Sequence, residues 1–221
     1  MKHTNKNLSL CPSLEDYKST LSQYAVLLNN FGIERVAYDF GDLRYYSRLS
    51  LPKQTAILEA LHASCEALRI EASFTKDINE ISNSRMFWNF CLRMGFGPRD
   101  EIMDTIDKEV FIQVYDRNNM QLYRSLGCFR RCSFTVAQMT SRPWFDLWDR
   151  ESFYFHALKN VGSFLMGLPK VIHLSMELPF HKVAEVNSTF SYSFDYRVRT
   201  INTISRAGTP QAAVFFEDWR Y

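Results

Sequence analysis

The chain has 221 residues, of which 46% are hydrophobic, 15% aromatic and 23% charged, with a formal net charge of +2. That length suits one large domain or two small ones, and the composition builds a core and excludes a disordered chain. So small a net charge gives no footprint for nucleic-acid binding, no apolar run reaches the ~18 residues of a membrane span, and residues 1–7 lack the apolar stretch of a secretory signal, so the expected setting is the cytoplasm.

In chain order, Ser13 and Asp16 resemble a capping box opening a helix whose face carries Leu14, Tyr17, Leu21, Tyr24 and Leu28, with Gly32 as its stop. Residues 34–40 alternate through Val36, Tyr38 and Phe40 and predict a strand with one buried face. Residues 42–51 read as loop. Pro52 opens an alanine-rich helix to Leu68, with Ile57, Leu61, Cys65 and Leu68 on one face, and residues 70–74 read as a short strand. A third helix is predicted over 78–94, stopped by Gly95-Phe96-Gly97-Pro98. That stop divides a helix-rich N-terminal region, 1–97, from an α+β region, 98–221, the two packed as one unit.

Beyond it the periodicity changes from 3.6 to 2. Val110, Ile112 and Val114 share a strand face, Asp116-Arg117-Asn118-Asn119 is a turn signature, and residues 120–125 return as a second strand. Residues 126–140 hold a strand near 131–136 or a loop. Pro143 opens a predicted helix over 144–166 with two aromatic stripes, one through Leu147 and Tyr154, the other through Trp144, Trp148 and Phe155. A short strand follows at 170–176. Residues 190–198 alternate cleanly, Phe190, Tyr192, Phe194, Tyr196 and Val198 against Ser191, Ser193, Asp195, Arg197 and Arg199, as in an antiparallel sheet solvated on one side. Residues 212–219 form a final, strongly apolar strand. The expected fold class is therefore α+β, a mostly antiparallel sheet with packed helices.

Chemistry is sparse. No glycine-rich phosphate loop, metalloprotease motif or serine-nucleophile elbow occurs. The five cysteines, at 11, 65, 91, 128 and 132, are odd in number and unevenly spaced, which favours reduced thiols over a zinc site or a disulfide framework. His173 and His181 flank Glu177, but Pro179 breaks any common face, so no metal site is assigned. The candidate ligand-binding residues are Trp144, Trp148, Glu151, Tyr154, Arg197 and Arg199. The tryptophans, one turn apart on the predicted helix, would floor an apolar pocket or simply fill core. Glu151, between Leu147 and Tyr154, would be a buried acid of raised pKa; Arg197 and Arg199 would take a phosphate or carboxylate, or pair with acids across the sheet. Arg124, Arg130 and Arg131 form another basic spot. No catalytic residue and no cofactor is assigned.

The hairpin Val114-Tyr115-Asp116-Arg117-Asn118-Asn119-Met120-Gln121-Leu122-Tyr123 resembles the opening hairpin of PAS-type sensory domains, with strands at 170–176, 190–204 and 212–219 standing for that family's three long strands. The resemblance covers residues 108–221, and the predicted helix over 144–166 is longer than the family's. Residues 31–38 with their preceding helix are also similar to the start of autoinducer-binding regulator domains, whose later motifs are missing. The PAS resemblance implies a domain that binds a small apolar or anionic ligand or a partner protein and does no chemistry itself. The sequence thus supports a ligand-sensing or regulatory module, acting in signalling or transcriptional control, over a small-molecule enzyme that uses Glu151 and an arginine in an aromatic pocket. The apolar run Ala212-Ala213-Val214-Phe215-Phe216 is either central in the sheet or covered by a second copy or a partner protein.

Overall fold

The computed structural model describes residues 13–98, 100–104, 106, 110–175, 178–186 and 192–220. Helix α1 (Leu14–Asn30) starts as its capping box requires: the Asp16 amide donates to Ser13 Oγ at 3.0 Å and the Ser13 amide returns to the Asp16 carboxylate at 3.4 Å. Tyr17, Leu21, Tyr24 and Leu28 are buried, while Leu14 stays exposed. Gly32 takes the left-handed conformation, φ 71°, that releases the chain from the helix.

Residues 34–40 are not a strand. They run extended, and the Val36 and Ala37 carbonyls accept the amides of Val136 and Ala137 at 3.0 and 2.9 Å, so they tie down the first turn of a later helix. Val36 and Phe40 are exposed, so the alternation had no buried face to mark. The expected loop at 42–51 contains a short helix, α2 (Leu43–Arg48), and α3 (Leu51–Phe74) continues through the residues expected as a strand at 70–74. Nothing in that stretch breaks a helix, and Glu71, fully buried, holds it by pairing with Arg85. A 3₁₀ turn (Ile78–Glu80) precedes α4 (Asn83–Met94), which Ser82 caps and Gly95 ends at φ 68°. The short α5 (Asp100–Asp104) leads into the sheet.

The sheet opens with the expected hairpin, β1 (Phe111–Asp116) and β2 (Gln121–Arg124). Asp116 builds its turn, accepting the Asn118 and Met120 amides at 2.8 Å each, with Asn119 left-handed. Instead of a strand at 131–136 there are two short helices, α6 (Leu126–Phe129) and α7 (Val136–Ser141), joined by a loop. The single helix expected over 144–166 is broken into a 3₁₀ turn (Trp144–Asp146), β3 (Trp148–Arg150) and α8 (Ser152–Met166). Trp148 decides this. Its ring meets Phe134, Phe194 and Trp219 edge-on at 5.1–5.7 Å and its backbone pairs with Glu185, contacts no helical conformation at this position reaches.

Strands β4 (His173–Ser175), β5 (His181–Glu185), β6 (Ser193–Arg206) and β7 (Thr209–Arg220) complete one sheet in the order β2-β1-β7-β6-β5-β3, with β4 also paired to β6. Every pairing is antiparallel and the sheet curls on itself, so the α+β expectation stands. Strand β5 went unread because Pro179 looked like a break; it lies just ahead of the strand, where a missing amide costs no ladder bond. β6 and β7 form a long hairpin closed by Ala207 and Gly208 at φ 50° and 82°. Helix α8 covers one face, its Gly162 lying against Ala213 and Phe215. The other face meets α4, where Tyr123 packs between Phe87 and Phe90. Gly97, in the expected boundary, donates to the Ser205 carbonyl at 3.0 Å, and one continuous core runs through both halves. β7 lies between β1 and β6, with Phe215 and Phe216 buried in the chain's own fold, so that strand needs no partner to cover it. No helix among the described residues is long and apolar enough to cross a membrane.

Candidate functional site

Among the described residues β1 begins opposite Glu217, and Asp218, Trp219 and Arg220 extend beyond that pairing. The space left at this end of the sheet is a cleft of about 910 Å³. Five arginines line it: Arg197 and Arg199 from β6, Arg220 from β7, and Arg130 and Arg131 from the end of α6. Among the described residues that line it, Asp218 is the only carboxylate. Phe111 and Trp219, stacked at 5.0 Å, form part of the wall, and Ile78, Ile81, Val110 and Leu126 also line it.

Arg131, Arg197, Arg199 and Arg220 have partners that hold their side chains in place. Arg197 Nε lies 2.5 Å and Arg199 Nε 2.9 Å from the two oxygens of Asp218, a fork in which one carboxylate aligns two arginines from the neighbouring strand. Phe180 stacks under Arg197 at 4.7 Å and Arg220 at 4.0 Å. Arg131 donates to the Trp219 carbonyl at 2.8 Å and lies 4.7 Å over Phe111. Aligned, partly desolvated guanidinium groups around one cavity recognise phosphate or carboxylate groups bidentately.

A second polar group lies behind the cleft, on the sheet face under α8. The two Glu217 oxygens accept Tyr196 Oη at 2.6 Å, Gln113 Nε2 at 2.5 Å and Trp219 Nε1 at 3.0 Å. Burial raises this carboxyl's pKa above the ordinary range, opposed by those bonds and by the nearby Arg150 charge. Arg150 lies 4.1 Å over the Tyr196 ring and 4.9 Å over Trp144. His181 stacks on Tyr154 at 3.8 Å; burial first, then Arg150, lower its pKa to about 4. The imidazole is therefore neutral at pH 7.

The six candidate ligand-binding residues lie at several places in the fold. Trp144 and Trp148 are buried in the core under α8, Tyr154 stacks on His181, and Glu151, rather than a buried acid, is exposed just ahead of α8. Arg197 and Arg199 do come together, on the opposite face of the sheet, with Asp218 as the acid across the strands. Sequence reasoning missed Asp218, Arg220, Phe180 and Glu217. A signal for Glu217 was present, since it shares parity with Phe215 and Trp219 in an otherwise apolar strand. His173 hydrogen-bonds Asn202, and no metal-ligating cluster occurs among the described residues; Glu177 and Cys11 lie outside them. Cys65, Cys91, Cys128 and Cys132 are free and buried, and burial pushes the Cys65 thiol up to about 12 and the other three also upward.

Compared with known proteins, the sequence matches no family model and no curated protein.

Proposed function

We propose that this chain is a ligand-sensing or regulatory module of the cytoplasm that binds an anionic small molecule in the arginine cleft and carries out no reaction of its own. The observation that carries the reading is the gathering of Arg130, Arg131, Arg197, Arg199 and Arg220 around one cleft among the described residues. The hairpin's resemblance to the PAS opening supports it from the side of the sequence. The competing enzyme reading would rest on Glu217, not Glu151; both oxygens of Glu217 are already engaged by three donors, which suits a structural carboxylate.

Titration calorimetry with inorganic tripolyphosphate tests the proposal. Binding that weakens with added salt is expected, and Arg197→Ala with Arg199→Ala should lower affinity by about tenfold or more per guanidinium removed. Circular dichroism on the variant confirms that it is folded. No binding to the parent chain, or undiminished binding to the folded double variant, refutes the reading.

A further inference from the structure

Arg124, at the end of β2, is a buried cation without a counterion, and we infer that the small cavity it lines is a binding site for one monatomic anion, with chloride as the natural occupant. This cavity shares no lining residue with the arginine cleft, and the inference does not rest on the reading proposed for the cleft. Arg124 is only 4% exposed, and its Nε and Nη1 are buried with no hydrogen-bond partner. The one bond that its guanidinium makes runs from Nη2 to Gln113 Oε1 at 3.5 Å. That oxygen already accepts Tyr115 Oη and, at 2.6 Å, Gln121 Nε2. A carbonyl oxygen has two lone pairs, so Arg124 receives the weakest share among three donors. Among the described residues no carboxylate pairs with Arg124. Glu217 is reached only through Gln113, whose Nε2 donates to it at 2.5 Å.

A guanidinium does not shed its proton to escape burial, and a buried charge left unpaired destabilises a fold strongly. The neighbours that could ionise do not supply the missing charge. Burial raises the pKa of Tyr24, Tyr115, Cys128 and Cys132 and outweighs the opposing pull of Arg124, so all four stay protonated at pH 7. The cavity measures about 20 Å³, and Tyr24, Ser64, Gln121, Tyr123 and Thr140 line it together with Arg124. Tyr123 Oη is a second buried group without a partner, and its O–H can donate to an anion. One water needs roughly 10–15 Å³ of such space, so the cavity takes a single water or a single monatomic ion and excludes a phosphate. A water would serve the N–H groups and leave the charge unpaired, whereas a halide ion answers both. Ile57, Leu61, Phe129 and Met139 complete the lining, and beside such groups opposite charges attract with far less screening than in water.

The test follows thermal unfolding of the full chain in sodium chloride and in sodium gluconate at equal ionic strength, since gluconate is too large for the cavity. Chloride at a hundredfold excess over its Kd should raise the melting temperature by roughly 5–10 °C above that in gluconate, along a saturating curve. Arg124→Met keeps a stem of similar shape and removes the charge, so this variant should melt at the same temperature in both salts. Crystals grown in sodium bromide then locate the ion, with an anomalous bromine peak expected in the cavity beside Arg124. Equal melting of the parent chain in the two salts overturns the inference, and so does a chloride effect that survives Arg124→Met. Should that variant fail to fold, the bromide crystals decide: a cavity that holds only water refutes the anion site. A bromine peak confined to the arginine cleft also refutes it, and leaves the reading of the cleft standing.

Discussion

Replacing Glu217 separates the cost of a buried charge from the cost of unmet donors. In the native chain its carboxylate receives one hydrogen bond each from Tyr196, Gln113 and Trp219. In Glu217→Gln, the amide oxygen can take the place of the oxygen that serves Gln113 and Trp219, and the amide nitrogen then faces Tyr196 Oη, which rotates to accept. Gln113 and Trp219 keep their acceptor, while the Tyr196 hydroxyl hydrogen and the second amide hydrogen lack one. That loss and the loss of a charge near Arg150 oppose the relief of desolvating a carboxylate, so the net change stays below about 2 kcal/mol at pH 7. Glu217→Ala instead strands three buried donors at roughly 1–3 kcal/mol each and leaves a cavity, a loss of about 4 kcal/mol or more. The pH dependence has a definite sign. Because the folded pKa of Glu217 is raised, its stabilising contribution is present below the ordinary carboxylate range and is lost as pH rises through the folded value. Glu217→Gln removes that slope. Urea unfolding of the three proteins between pH 4 and 8 measures both effects. A loss above about 3 kcal/mol for Gln, or below about 1 kcal/mol for Ala, would refute the account of Glu217 as a neutralisable acceptor of three bonds.

His181 gives the opposite pH signature: its pKa falls from 6.5 to about 4 on folding, so its contribution is complete above pH 6.5 and disappears as pH drops toward 4, approaching ~3 kcal/mol. His181→Phe should flatten unfolding free energy across that window; an unchanged slope would mean His181 is not the group responsible. Gly127 has a tighter constraint, since a Cβ there would lie 2.7 Å from Phe111 Cε1. Gly127→Ala should cost about 1–3 kcal/mol and displace the Phe111 ring toward the cleft, weakening tripolyphosphate binding; unchanged stability together with unchanged affinity would contradict it.

The features legible in the sequence are those whose cause is local. The Ser13–Asp16 cap, the Asp116–Asn119 turn and the alternation in β6 are each decided by a few neighbouring residues. What stayed illegible was decided at a distance. Trp148 reads as one member of a helical stripe until Phe194 and Trp219 arrive from the far end of the chain. Residues 34–40 read as strand because Val36, Tyr38 and Phe40 alternate, yet the Val36 and Ala37 carbonyls serve α7. The cleft was half visible: alternation singled out Arg197 and Arg199, and composition marked Arg130 and Arg131 as basic spots. Only strand pairing brings β6, β7 and the end of α6 to one place, and only there does Asp218 become the counterion. Glu151 failed because its expected burial depended on a helix that does not extend through it.

The position of β7 also bears on how this chain is made. Phe111 waits for Glu217, about a hundred residues further along, before β1 has its second neighbour. During vectorial synthesis the β1–β2 hairpin emerges early with Ile112 and Val114 on an open edge, and no intervening strand takes that place. A ribosome pausing between α8 and β7 therefore displays an apolar, unpaired ribbon, the kind of surface holding chaperones bind. The same late insertion brings Asp218 and Arg220 to Arg131, so the cleft comes into being together with the finished sheet, and a nascent chain has no binding activity to misfire.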